Sequence, residues 1–305
     1  APKADGTSYY AGIFAQINDD AYIKNLTISA KFDLNTLGYT GNYRIALLAG
    51  INYGRLSNVS AEVLESNIAV RGGGDFAIGG LVGENDVISY NEDATEVSKA
   101  GEILQNFSSY AESENEIEGY FTIKDRVGEF SGQTPKMLAS FDGKLSINID
   151  GTASNARVYV GGVAGKNSGD IYRIDDESLS IYGYASYSSY ANIEVGGGSA
   201  DCVYLGGAVG YFVGNSKVLS KIIKISNDDY DFAVNENPVN VTARATIFNL
   251  LVGGEVDLSV PVENSAVGGI VGYAGGIENR EAQQVYLLKN TSRTFIRGDM
   301  FTGGI

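Results

Sequence analysis

The chain has 305 residues, 37 acidic against 22 basic side chains for a net charge of −15, a pI near 4.4, 40 glycines, one cysteine (Cys202), and neither histidine nor tryptophan. Without histidine there is no Ser-His-Asp or Cys-His catalysis and no imidazole metal site, and a lone cysteine builds neither a disulfide framework nor a thiolate metal centre. The acidic balance excludes nucleic acid and disfavours anionic lipid surfaces, because phosphate binding is driven by Lys and Arg.

The chain opens Ala1-Pro2-Lys3-Ala4-Asp5, with no initiator Met and no signal-peptide pattern, so we expect a piece of a longer polypeptide. Ala11-Gly12-Ile13-Phe14-Ala15 introduces a glycine–apolar frame, and Leu26, Ile28, Ala30, Phe32 and Leu34 then alternate with polar residues as a half-buried strand does. Ala46-Leu47-Leu48-Ala49-Gly50-Ile51-Asn52 is a second copy of the frame. Gly79-Gly80-Leu81-Val82-Gly83-Glu84-Asn85 is the first full one. It is matched by Gly161-Gly162-Val163-Ala164-Gly165-Lys166-Asn167, Gly206-Gly207-Ala208-Val209-Gly210-Tyr211 and Gly268-Gly269-Ile270-Val271-Gly272-Tyr273, and Gly303-Gly304-Ile305 opens another. Alternating strand patterns recur at Leu145, Ile147 and Ile149, at Leu179 and Ile181, and at Val256, Leu258, Val260 and Val262.

The copies begin at 11, 46, 79, 161, 206, 268 and 303, at intervals of 35, 33, 82, 45, 62 and 35. A period of 33 to 35 interrupted by insertions is the mark of a stacked array in which each unit buries its apolar side on the next. The interval of 82 is either one unit with about 48 inserted residues or two units with one copy eroded. The fold expected is all-β, a β-solenoid resembling a parallel β-helix, with residues 1–305 forming one elongated repeat domain. Two sizeable insertions are expected, an acidic one at 84–140 and a second at 226–262. The paired glycines are expected at coil corners, where φ > 0 or close backbone approach favours Gly. Asn85 and Asn167 are expected to serve the following turn, bonding the local backbone in the left-handed region. Lys166 after Gly161–Gly165 superficially suggests a phosphate loop, but neither the P-loop spacing nor a following helix is present.

The Gly-Gly-Leu-Val-Gly-x-Asn run and its relatives resemble the GLUG motif of large bacterial surface and secreted proteins, among them adhesin-like proteins and non-catalytic regions of immunoglobulin-A-specific peptidases. The resemblance implies a solenoid-like repeat region in a surface-exposed bacterial protein, and no catalytic activity. The structural repeat glycines are Gly79, Gly80, Gly83, Gly161, Gly162, Gly165, Gly206, Gly207, Gly210, Gly268, Gly269 and Gly272.

Between Glu84 and Glu118, ten acidic residues face a single lysine. They read as a solvated loop that discourages edge association, with calcium ligation the alternative, though no EF-hand spacing is present. Asp228, Asp229 and Asp231 form a smaller acidic cluster of the same kind. Tyr182, Tyr184, Tyr187 and Tyr190 lie in a Ser/Ala-rich stretch and are the candidate partner-contact surface, because tyrosines offer large amphipathic area with few torsions. Asn-x-Ser/Thr sequons at Asn25, Asn58, Asn106, Asn240 and Asn290 read as turn asparagines. No catalytic, metal or cofactor residues are expected, and no direct membrane insertion, since the apolar runs are short and glycine-broken. The functional expectation is a non-enzymatic adhesin-like stalk or display scaffold at the cell surface or secreted, contacting a host or bacterial glycan or protein and further repeats of its own chain. The alternatives are a carbohydrate-active β-helix enzyme, lyase or glycosidase, and a self-associating subunit of a surface filament or layer.

Overall fold

The computed structural model describes residues 7–92, 95–106, 140–174, 187–215, 217–218, 224–225, 230–231, 245–260, 262, 264–275, 285–298 and 301–303. Among them there are strands and no helix. The strands wind into coils with three faces. Coil 1 holds β1 (Ser8–Ala11), β2 (Phe14–Ile17) and β3 (Tyr22–Asn35), and coil 2 holds β4 (Gly41–Ile45), β5 (Ala49–Asn52) and β6 (Arg55–Val70). Coil 3 contains β7 (Gly74–Gly79), β8 (Val82–Asn85), a hairpin of β9 (Val87–Glu92) and β10 (Thr95–Ala100), then β11 (Glu102–Asn106) and β12 (Phe141–Ile149). Coil 4 is β13 (Ala156–Gly161), β14 (Ala164–Asn167), β15 (Asp170–Ile174) and β16 (Ser189–Gly197). Coil 5 is β17 (Cys202–Gly206) and β18 (Val209–Phe212), a small antiparallel pair β19 (Lys224–Ile225) and β20 (Tyr230–Asp231), then β21 (Ala245–Phe248) and β22 (Leu251–Leu258). Coil 6 is β23 (Ser265–Gly268), β24 (Val271–Ala274), β25 (Val285–Leu288) and β26 (Thr291–Arg297), and β27 (Phe301–Gly303) begins the next.

Face A stacks β1-β4-β7-β13-β17-β23-β27 and face B stacks β2-β5-β8-β14-β18-β24, while face C carries β3, β6 and the split pairs from β11/β12 to β25/β26. Every pairing within these faces is parallel. The motif glycines fall in register, Gly79 against Gly161, Gly161 against Gly206, Gly206 against Gly268 and Gly268 against Gly303. The intervals of 82 and 62 are therefore each one coil with excursions, not an eroded extra unit. The bounds expected for those excursions need narrowing. Within 84–140, β11 returns to face C between the hairpin and residue 107, and within 226–262, β21 and β22 are face-C strands. β11 escapes the eye because its five residues sit inside the most acidic stretch. Leu179 and Ile181 lie outside the described residues.

The interior is one continuous apolar column. From the second copy on, the apolar pair inside the motif supplies two of its rows, Leu48, Leu81, Val163, Ala208 and Ile270 beside Ala49, Val82, Ala164, Val209 and Val271, all at most 3% exposed, whereas Ile13 and Phe14 of the first copy are exposed. On β3 the alternating Leu26, Ile28, Ala30, Phe32 and Leu34 point inward and the residues between them outward.

None of the motif glycines has positive φ. Of the two reasons a corner needs glycine, close approach is the one that operates. A Cβ on Gly83 would lie 2.6 Å from the Gly50 carbonyl oxygen and 2.6 Å from the Ile45 nitrogen, and one on Gly272 would lie 2.6 Å from the Leu205 nitrogen. Face B thus presses backbone to backbone against face A of the preceding coil. Among the described non-glycine residues, positive φ occurs instead at Asn25, Asn58, Asn249 and Lys289, which kink face C at one corner in coils 1, 2, 5 and 6. Asn25 and Asn58 are two of the sequon asparagines, serving as turn residues.

Asn85 and Asn167 correct their expected role. Neither is left-handed, and both point inward, fully buried. Asn52 Nδ2 donates to Asn85 Oδ1 at 2.8 Å and Asn85 Nδ2 donates to Asn167 Oδ1 at 2.8 Å, an asparagine ladder along the turn from face B to face C. The local backbone bonds exist too, from Asn52 to the Gly54 carbonyl at 3.1 Å and from Asn167 to the Gly169 carbonyl at 3.0 Å.

Candidate functional site

Tyr190 leaves β16 on its outward side and is 41% exposed. Its register partner one coil later is Gly253, which has no side chain, and the Tyr187 ring fills that space. The two rings meet edge to face, 5.2 Å between centroids and 66° between planes, a favoured aromatic geometry. Asp142 precedes Tyr190 in the same outward column and exposed Arg293 ends it beyond Gly253. Two residues along the strand, Lys144 pairs with Glu194 at 2.8 Å. Further toward coil 6, Phe295 is 59% exposed with the Arg297 guanidinium 5.6 Å over its ring, and Arg297 donates to Asp257 at 3.0 Å. This part of face C therefore presents aromatic rings among paired charges. Of the four candidate tyrosines, Tyr187 and Tyr190 are brought together here, while Tyr182 and Tyr184 lie outside the described residues.

A second group sits in the seam between faces A and B, where the glycine contacts hold the two sheets together. Glu84 is 2% exposed, and its carboxylate oxygens are taken by Arg44 Nε and, at 2.6 Å, by Lys166 Nζ. Burial raises the Glu84 pKa, but Lys166 and Arg44 outweigh it and hold the carboxyl below its usual range. Lys166 is thus committed to an ion pair and does not serve a phosphate. Farther along, Tyr159, Tyr204, Tyr211 and Tyr273 pack on one another, Tyr204 and Tyr273 stacked at 4.8 Å, with Cys202 beneath. Burial pushes Tyr204 and Tyr211 up to about 12 and Cys202 up to about 11. Glu84, Lys166, Tyr211 and Tyr273 all follow the third motif glycine, so aligning the copies by period shows them as one column, a signal carried by the repeat itself.

Asp86, beside this group, is shifted the other way: burial, with the Glu84 charge adding to it, raises its pKa, although Ser168 Oγ donates to it at 2.5 Å. Two carboxyl groups with opposed shifts are what an acid–base pair requires. Here the ionised member is sealed in the seam with both oxygens occupied, so it reaches no substrate. Glu96 and Glu102, also in coil 3, are engaged as well, Glu96 with Lys217 and Glu102 with Arg55 at 3.7 Å. Among the described residues no group of three or more His, Cys, Asp or Glu is arranged to hold a metal ion. Asp228 and Asp229 lie outside the described residues, and the Asp231 side chain with them.

No family model, no curated protein and no solved structure matches the chain.

Proposed function

We propose that this chain is a non-enzymatic, GLUG-like repeat segment of a bacterial cell-surface or secreted protein, working as an adhesin-like stalk or display scaffold. The observation that carries the proposal is the unbroken parallel stack from β1 to β27 over a single core. Such a rod holds its outer faces and loops at fixed spacing, which is what presentation to a partner requires. Ligand contact is assigned to face C around Tyr187 and Tyr190, where an exposed ring and neighbouring polar groups suit a glycan or a protein surface.

The test is an array of host and bacterial glycans and surface proteins, read for both binding and cleavage products, with Tyr190→Ala in parallel. Binding without products, weakened at least tenfold by Tyr190→Ala, is expected. Reproducible cleavage abolished by a single carboxylate substitution would overturn the scaffold reading in favour of a carbohydrate-active enzyme.

A further inference from the structure

The strands that carry the Tyr187–Tyr190 pair are closed on both edges. β16 is bonded to β12 and to β22, and β22 to β16 and to β26, so this part of face C offers no strand edge to an added peptide strand. Beside Asp142, Tyr190 and Gly253, the next outward residues are Lys144, Asn192 and Glu255, polar on all three coils. The rings therefore stand among polar groups, a setting for the face of a sugar and not for an apolar peptide side chain. Tyr190 is open to solvent, and among the described residues neither tyrosine hydroxyl has a hydrogen-bond partner.

Charge separates the candidate sugars. Around the rings the other cations are taken, Lys144 by Glu194 at 2.8 Å and Arg297 by Asp257 at 3.0 Å. Arg293 is not: the residue opposite it on coil 5 is Gly253, and among the described residues it has no acidic partner. It stands on the outer surface of the sheet, which strands stacked on either edge leave open. A planar, permanently charged guanidinium takes a carboxylate through two parallel hydrogen bonds. One such group in a chain of net charge −15, with Glu194, Glu255 and Asp257 close by, suits isolated carboxylates and repels a densely sulfated polymer. We propose, resting on the assignment of ligand contact to Tyr187 and Tyr190, that this site takes an acidic oligosaccharide. One sugar stacks on Tyr190, and a carboxylate further along the same glycan is held by Arg293. Two strand spacings, about 10 Å, separate the backbones of those residues, so the two contacts fall on different sugars.

Calorimetric titration of the 305-residue protein tests this with a hyaluronan decasaccharide, whose uronates are internal, and a sialylated lactosamine, whose carboxylate is terminal. Each is matched by its carboxyl methyl ester, and heparin and poly-glutamate serve as the sulfated and the peptide polyanion. Binding of at least one of the two acids is expected, weakened about ten- to a hundredfold by esterification, by Arg293→Gln and by Tyr190→Ala, with Arg293→Lys between parent and Arg293→Gln. Both side chains are exposed, so the thermal midpoint should not move. The acid that binds tells an internal carboxylate from a terminal one. Binding of neither acid, equal affinity for acid and ester, indifference to Arg293→Gln, or tighter binding of heparin or poly-glutamate overturns the proposal. If a neutral glycan then still binds in a Tyr190-dependent way, the reading of face C as the contact surface stands. An array on which no glycan and no surface protein binds takes both down.

Discussion

Asn85 donates from Nδ2 to Asn167 Oδ1 at 2.8 Å, across one coil and 82 residues of sequence, with both side chains fully buried. The same Nδ2 lies 3.0 Å from the Gly101 carbonyl, where the chain re-enters face C after the hairpin. Asn85→Leu keeps the volume and removes the amide, depriving Asn167 Oδ1 of its donor and Asn52 Nδ2 of its acceptor across the coils, while the Gly101 carbonyl keeps the Asp170 N–H. Each unsatisfied buried group costs about 1–3 kcal/mol, so the unfolding free energy should drop by about 2–6 kcal/mol. A urea midpoint indistinguishable from the parent's would show that the ladder is ornamental.

The Glu84 carboxylate between Arg44 and Lys166 predicts an acid limb in stability. Its folded pKa lies below the ordinary 4.5, so its contribution is complete above that value and is lost as pH falls through the lower, folded value. Asp86 acts with the opposite sign: its raised pKa means that ionisation disfavours the folded state, so Asp86→Asn should stabilise the protein at neutral pH. Glu84→Gln leaves buried Arg44 and partly buried Lys166 short of a counter-charge and should cost about 3–5 kcal/mol at neutral pH, while flattening the acid limb. Chemical denaturation of parent and variant at several pH values separates the two. Parallel pH profiles would contradict the assignment.

Close approach without positive φ predicts that size, not backbone conformation, bars a side chain at the motif glycines. Gly83→Ala sets a methyl against the backbone of Gly50 and Ile45, which cannot swing away, and should destabilise by about 1–3 kcal/mol or more. Gly151→Ala has nothing within 4 Å and no positive φ, so its effect should stay within about 0.5 kcal/mol. Equal thermal shifts for the two would refute the steric account.

The stack was legible because repeat spacing and strand register are the same quantity. The offset from Gly79 to Gly161 along the chain is the pairing of β7 with β13, and the offsets to Gly206, Gly268 and Gly303 continue it. In the first, degenerate copy this holds only in part, since Phe14 pairs with Ala49 as spaced but Ala11 pairs with Ile45 and not Ala46. Other features are hidden for physical reasons. The kink at Asn25 and Asn58 sits within otherwise continuous alternation, and a single left-handed residue leaves that pattern almost intact. The Tyr187–Tyr190 pair depends on a bare Gly253 one coil away, and no local window contains both. The seam between faces A and B depends on how tightly two sheets meet, which glycine permits but does not announce.

Cys202 reports on that seam. Burial, followed by the nearby Asp201 charge, pushes its thiol up to about 11, and its side chain is covered by Tyr159, Tyr204 and Tyr211. The thiolate is the reactive form, so at pH 8 both ionisation and access suppress attack. Ellman's reagent should therefore find almost no thiol in the native protein and one per chain in urea. Tyr211→Ala opens the cover and should speed native labelling at least tenfold, without moving the main core, from which this cluster is separate. Fast stoichiometric labelling of the parent protein would mean that the tyrosines do not close the seam. An unchanged rate in Tyr211→Ala would mean that the sheet backbones alone protect the thiol.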